Sequence, residues 1–95
     1  MLEKYNIELK NYMEECVGNL LGPVLDNING CKCQSCLSDV TAIALNSLPP
    51  KYVVTKKGQL FTKIGNLQQQ YDVDIIAAIT KASVIVSRNP RHDEE

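Results

Sequence analysis

Three of the four cysteines fall within six residues, as Cys31-x-Cys33-x-x-Cys36, and this cluster constrains the fold more than any other feature of the chain. Where thiols are kept reduced, sulfurs this close mean a metal site or redox chemistry rather than a structural staple. Thiolates are soft ligands, and tetrahedral zinc at about 2.3 Å from sulfur is their commonest structural use. A turn just before a helix start lets several sulfurs converge, with the helix amides helping to hold their negative charge. The local triplet supplies three ligands, and a structural zinc needs a fourth.

Two residues compete for that place. His92 is the only histidine, and it follows Pro90, which stops the last helix and lets the chain turn back; its bland reading is an exposed tail residue. Cys16 lies on an apolar helical stripe, where a free cysteine is often a small buried hydrophobe. A redox pair of Cys33 and Cys36 is the other use of the cluster. Against it, the strand-first context of thioredoxin-like C-x-x-C motifs is missing.

At 95 residues the chain has material for one hydrophobic core and therefore one domain, 1–95, with the last few residues frayed. Hydrophobic residues at 44% and charged residues at 22% are ordinary for a folded globular protein. The net charge of −1 argues against a protein that coats duplex nucleic acid by charge alone. Its distribution is uneven, however: Lys51, Lys56, Lys57 and Lys63 occupy a stretch, residues 40–71, that contains no acid. That segment suits an anion of modest size, although such clusters are more often solvated faces. The acidic start MLEKYNIELK does not read as a secretory signal, and Asp74 and Lys81 interrupt the most apolar run. The expectation is a cytoplasmic protein with no membrane span.

The periodicity predicts a mainly helical protein of about four helices. Leu9, Met13, Cys16, Val17, Leu20, Leu21, Val24 and Ile28 form an amphipathic stripe with Asn6 as its N-cap and a kink or break near Pro23. Asn29-Gly30 turns the chain into the cysteine cluster. Leu37 to Leu48 reads as a mostly buried helix, capped by Ser35 or Ser38 and ended by Pro49-Pro50. Tyr52 to Thr55 is extended in character, with a hairpin onto 59–62 weighed against a helix from Leu60 to Tyr71, which is favoured. Asp72 then caps a last helix reaching about Asn89. This last helix carries two stripes: Val73, Ile76, Ala77, Thr80 and Val84 on one side, Ile75, Ile79, Ala82 and Val86 on another. A single small core uses one of them, so the other is expected to meet a second copy in a homodimer.

With these residues in view, the chain resembles the late-competence ComFB family of small bacterial proteins over nearly its whole length. The resemblance rests on an ordered series: the cysteine triplet, Asp39, then Ala42-x-Ala44-Leu45-Asn46-x-Leu48-Pro49-Pro50-x-Tyr52, and Asn89-Pro90-Arg91-His92 closing a helix. It implies a compact, helical homodimer with a cysteine-based structural zinc that acts as a receptor for a cyclic dinucleotide such as c-di-GMP or c-di-AMP, signals to competence or motility pathways, and works through an unidentified protein partner. Carried over residue by residue, the triplet is the metal site.

A cyclic dinucleotide has two phosphates and two purines related by two-fold symmetry, which a symmetric dimer can match. Phosphates call for Lys or Arg and bases for flat partners. Lys51 and Tyr52, stiffly held behind two prolines, and Arg88 and Arg91 at the end of the last helix are the candidates. Their bland readings are a half-buried core aromatic for Tyr52 and a solvated helix cap for Arg91. No Ser/His/Asp order or glycine-rich phosphate loop occurs, so an enzyme is not expected. The alternative function is a zinc-stapled accessory protein of DNA uptake, acting through protein or nucleic-acid contacts and binding no small ligand.

Overall fold

The computed structural model describes residues 2–54 and 60–89, with side chains described for 4–54 and 69–89. After a 3-10 turn over Leu2–Tyr5, the elements are β1 (Leu9–Asn11), α1 (Tyr12–Asn27), α2 (Gln34–Ser47), β2 (Tyr52–Val54) and α3 (Leu60–Arg88). The fold is mainly helical, with three α-helices and one two-stranded sheet among the described residues, in place of about four helices and no sheet.

Each difference has a local cause. Asn6 has a positive φ of 57° and does not cap α1; Asn11 does, its side-chain oxygen accepting the backbone N–H of Met13 at 3.2 Å. Leu9 is thereby in a strand, paired with Val54 in an antiparallel ladder that also pairs Lys10 with Val53 and Asn11 with Tyr52. The extended reading of 52–54 holds, but its partner is the N-terminal segment; the weighed turn at 56–58 lies outside the described residues. α1 runs through Pro23 unbroken. Pro23 and Asn19, whose carbonyl loses its usual N–H donor to the proline, both lie on the exposed side, where water can replace that bond.

Asp72 starts no helix, because α3 is continuous for 29 residues. The favoured helix over Leu60–Tyr71 and the last helix are one element. Its two stripes divide as their spacing suggests. Ile75, Ile79, Ala82 and Val86 are buried, while Val73, Ile76 and Val84 are 79%, 42% and 45% exposed. α3 packs along both shorter helices, so the core is a three-helix seam. Met13, Cys16, Val17, Val24 and Leu25 come from α1, Cys36, Val40 and Ala44 from α2, Leu48 from just beyond it, and the buried stripe from α3. Leu37, Ile43 and Leu45 pack partly buried against it, which accounts for the apolar character of α2 on more than one side.

Candidate metal centre

The end of α1 and the start of α2 build the cysteine site. Ile28 is the C-cap of α1, and Asn29 follows in the left-handed region at φ 56°. The N–H of Gly30 donates to the carbonyl of Leu25 at 2.8 Å, and that of Asn29 to Asp26 at 3.4 Å. This is the Schellman arrangement, in which a residue such as Asn or Gly reverses the chain and satisfies the last carbonyls. A larger residue at position 30 would displace its neighbours, because a Cβ there would stand 2.8 Å from Leu25 Cδ2 and 3.2 Å from Ser83 Oγ. The reversal delivers Cys31 directly above the next helix start.

Cys33, rather than Ser35 or Ser38, is the N-cap of α2. Its backbone is extended, its Sγ accepts the N–H of Cys36 at 3.5 Å, and its carbonyl accepts that of Leu37 at 2.9 Å. The spacing of the motif follows from this geometry. Cys33 at the cap and Cys36 in the first turn face one another across the free amides, and Cys31 reaches over from the preceding loop. The three sulfurs all lie within 4.8 Å of one another. An ideal tetrahedral centre with sulfur at about 2.3 Å has sulfurs about 3.8 Å apart, so the triplet can hold a metal ion with small adjustments. Exposure falls along the motif, from exposed Cys31 through half-buried Cys33 to buried Cys36.

Two electrostatic effects oppose each other here. The helix start favours negative charge, but burial, reinforced by side-chain hydrogen bonds to Cys31 and Cys33, pushes the Cys36 thiol up to about 12. Burial wins, and without a cation Cys36 keeps its proton at neutral pH. A cation reverses the balance, because coordination requires the thiolate. The donor set therefore fits a metal ion and does not fit a ready-made nucleophile.

The other candidates fall in different places. Cys16 is buried in the core and outside the group of three; burial raises its pKa, with the charges of Asp72 and Glu15 adding to the effect. His92 and Arg91 lie outside the described residues, as do Lys56 and Lys57 and the side chain of Lys63. Lys51 stands with its ammonium 5.3 Å from the centre of the Tyr71 ring, and its backbone N–H donates to Asn11 Oδ1 at 2.9 Å. Tyr52 is 65% exposed, so it is an accessible ring rather than a half-buried core aromatic. Arg88 is exposed in the last turn of α3. Most of α3 separates Tyr71 from Arg88, about 25 Å along the axis, so Lys51 and Arg88 of one chain do not converge.

A groove of about 440 Å³ runs beside the cysteines, walled by Asn29, Gly30, Cys31, Cys36 and Val40 and by Thr80, Ser83, Val84, Val86 and Ser87 of α3. Sequence reasoning did not find it, because it forms only where the α1–α2 reversal meets α3. Among the described residues its lining carries hydroxyl, amide, thiol and apolar groups and no charged side chain. Among the described residues no helix is long and apolar enough to cross a membrane.

Comparison with known proteins agrees with this architecture. A family model described as "Late competence development protein ComFB" matches residues 10–90. The competence protein ComFB of Bacillus subtilis (strain 168) is 30% identical over 83 residues, which cover 86% of this chain and 85% of that protein. The solved structure of the late competence protein ComFB from Bacillus subtilis superimposes with a TM-score of 0.73 at 29% identity, covering 90% of this chain and 94% of the other.

Proposed function

The chain belongs to the late-competence ComFB family, and from that premise we propose that it is a non-enzymatic receptor: a homodimer, held firm by structural zinc, that binds a cyclic dinucleotide and reports it to a protein partner in a competence or motility pathway. The observation that carries the reading is the convergence of Cys31, Cys33 and Cys36 within 4.8 Å. Three thiolate donors at a helix start favour zinc over harder cations. When bound, the ion supplies folding free energy by tying the α1–α2 reversal together, and this chain's residues hold it closed rather than exposing an open position.

His92 is the fourth ligand in this reading. Val86 and Ser87 share the groove wall with Cys31 and Cys36, so the chain leaves α3 beside the cluster. Fully extended, the stretch from Arg88 to His92 can reach up to about 14 Å. For the dinucleotide, the accessible ring of Tyr52 offers a stacking surface and Lys51 a cation for phosphate. Arg88 and Arg91 supply further positive charge.

The exposed stripe of α3 is the dimer face. Val73 at 79% exposure is costly to leave in water, and a self-complementary face buries it.

Isothermal calorimetry with c-di-GMP and c-di-AMP, together with metal analysis of protein purified without chelator, tests the reading. One dinucleotide is expected to release or absorb heat saturably, with one zinc per chain. Heats equal to the buffer blank for both dinucleotides would reject the receptor function and leave the accessory role in DNA uptake.

A further inference from the structure

Three exposed charges on α3 recur at a spacing of seven: Asp74, Lys81 and Arg88. Seven residues is nearly two helical turns, so the three stand in one row. The row runs along one flank of the exposed stripe of Val73, Ala77, Thr80 and Val84. The opposite flank carries Ile76 and Ser83, with half-buried Asp72 set back toward the core beside Cys16. Among the described residues none of the three is engaged by an ion pair within the chain, where the pairs are Lys10–Glu15 and Lys32–Asp26.

We infer that a second copy of this chain docks on this face with its α3 antiparallel, in a register set by Asp74 of each copy pairing with Lys81 of the other. The inference rests on the homodimer reading above and specifies its geometry. Two helices related by a two-fold axis contact through the same patch. In a parallel pair each flank meets the partner's opposite flank, which would set the charged row against uncharged Ile76 and Ser83. In an antiparallel pair each flank meets its own copy, and a row reading acid, base, base is then self-complementary. The same register lays Val73 against Val84 and Ala77 against Thr80, so apolar contact and charge agree.

The register has a consequence for ligand binding. It brings the partner's Arg88 level with Gln69, next to Tyr71 and the Lys51 that stands over its ring. The cations that one chain holds about 25 Å apart become neighbours across the two copies. The anion site is thus shared, with Lys51 from one copy and the partner's Arg88 from the other.

Sedimentation equilibrium of the full chain, with helical content checked by circular dichroism, tests the register. Asp74→Lys and Lys81→Asp are each expected to weaken self-association by roughly tenfold or more, since each turns two attractions into repulsions. An equimolar mixture of the two variants is expected to re-associate as a heterodimer, because every altered charge then meets its opposite. The double variant D74K/K81D should pair like the parent and serves as the test if either single variant loses its helical signal. Single variants that associate like the parent, or a mixture or double variant that fails to recover, overturn the register while a dimeric parent leaves the homodimer reading standing. A monomeric parent overturns both.

Discussion

The N–H of Cys36 donates to the sulfur of Cys33 at 3.5 Å, so one cysteine serves both as the cap of α2 and as a member of the metal site. The two roles separate by substitution. Serine is among the best N-cap residues, so Cys33→Ser keeps an acceptor for that N–H while removing a thiolate. We expect the variant to lose its zinc and, at metal concentrations well above the dissociation constant, about 3 to 4 kcal/mol of stability. Cys33→Ala should lose about 1 kcal/mol more. Urea melts with and without chelator read both values, and a Cys33→Ser variant as stable as the metal-loaded parent would contradict the zinc reading.

Without metal, the raised pKa of Cys36 links stability to pH. Its thiol titrates at about 12 against an ordinary value of 9.0. Between these values the unfolded chain has released the proton and the native chain retains it, so alkali favours unfolding. The stabilisation is fully present below pH 9 and is lost as pH rises toward 12, by up to about 1.4 kcal/mol per pH unit. Chelator-treated protein melted at pH 8, 9.5 and 10.5 should show this slope, and a Cys36→Ala variant should show less of it.

Tyr12 is fully buried, and among the described residues its hydroxyl oxygen meets no hydrogen-bond partner. An unpaired buried hydroxyl costs free energy, so removing it relieves a penalty. Tyr12→Phe is expected to be as stable as the parent or more stable, by up to about 1 kcal/mol. A loss of more than 1 kcal/mol in chemical denaturation would show that the hydroxyl has a partner.

Sharing of the anion site between copies predicts complementation. Lys51→Ala and Arg88→Ala should each bind the cyclic dinucleotide at least about tenfold more weakly, as each removes a charge-assisted contact. In a mixed dimer, one of the two sites combines the intact Lys51 of one chain with the intact Arg88 of the other. Equimolar mixing should therefore restore roughly a quarter of the parent's sites, a fraction set by random pairing of the two chains. Calorimetric titration of the mixture counts them, and no recovery would place both residues in separate sites or within one chain.

The parts of this molecule that depend on short spacings were legible in the sequence. The cysteine triplet, the Asn29-Gly30 reversal, the stop at Pro49-Pro50 and the two stripes of α3 are each decided within a turn or two of chain. The misread features depend on contacts made elsewhere. Asp72 has the chemistry of a cap, yet Tyr71 and Ile75 both pack toward the core, and continuous burial carries the helix past it. Leu9 fits the stripe of α1, but Asn11 offers its oxygen to Met13 and the ladder with Tyr52–Val54 claims the residues before it. A three-residue strand whose partner lies about forty positions away leaves no periodic trace. The charged row of α3 could have been read from its seven-residue spacing alone, once the helix was known to be unbroken.

Asn11 Oδ1 accepts both the N–H of Met13 at 3.2 Å and that of Lys51 at 2.9 Å, while the N–H of Tyr12 donates to the carbonyl of Lys51 at 2.7 Å. The origin of the first helix and the connection behind the two prolines are thus latched to each other through the Asn11 side chain and the Tyr12–Lys51 backbone bond. A molecule that tugs on Lys51 must either drag that helix with it or spring the latch, so an event at the rim of the protein has a mechanical route to its centre.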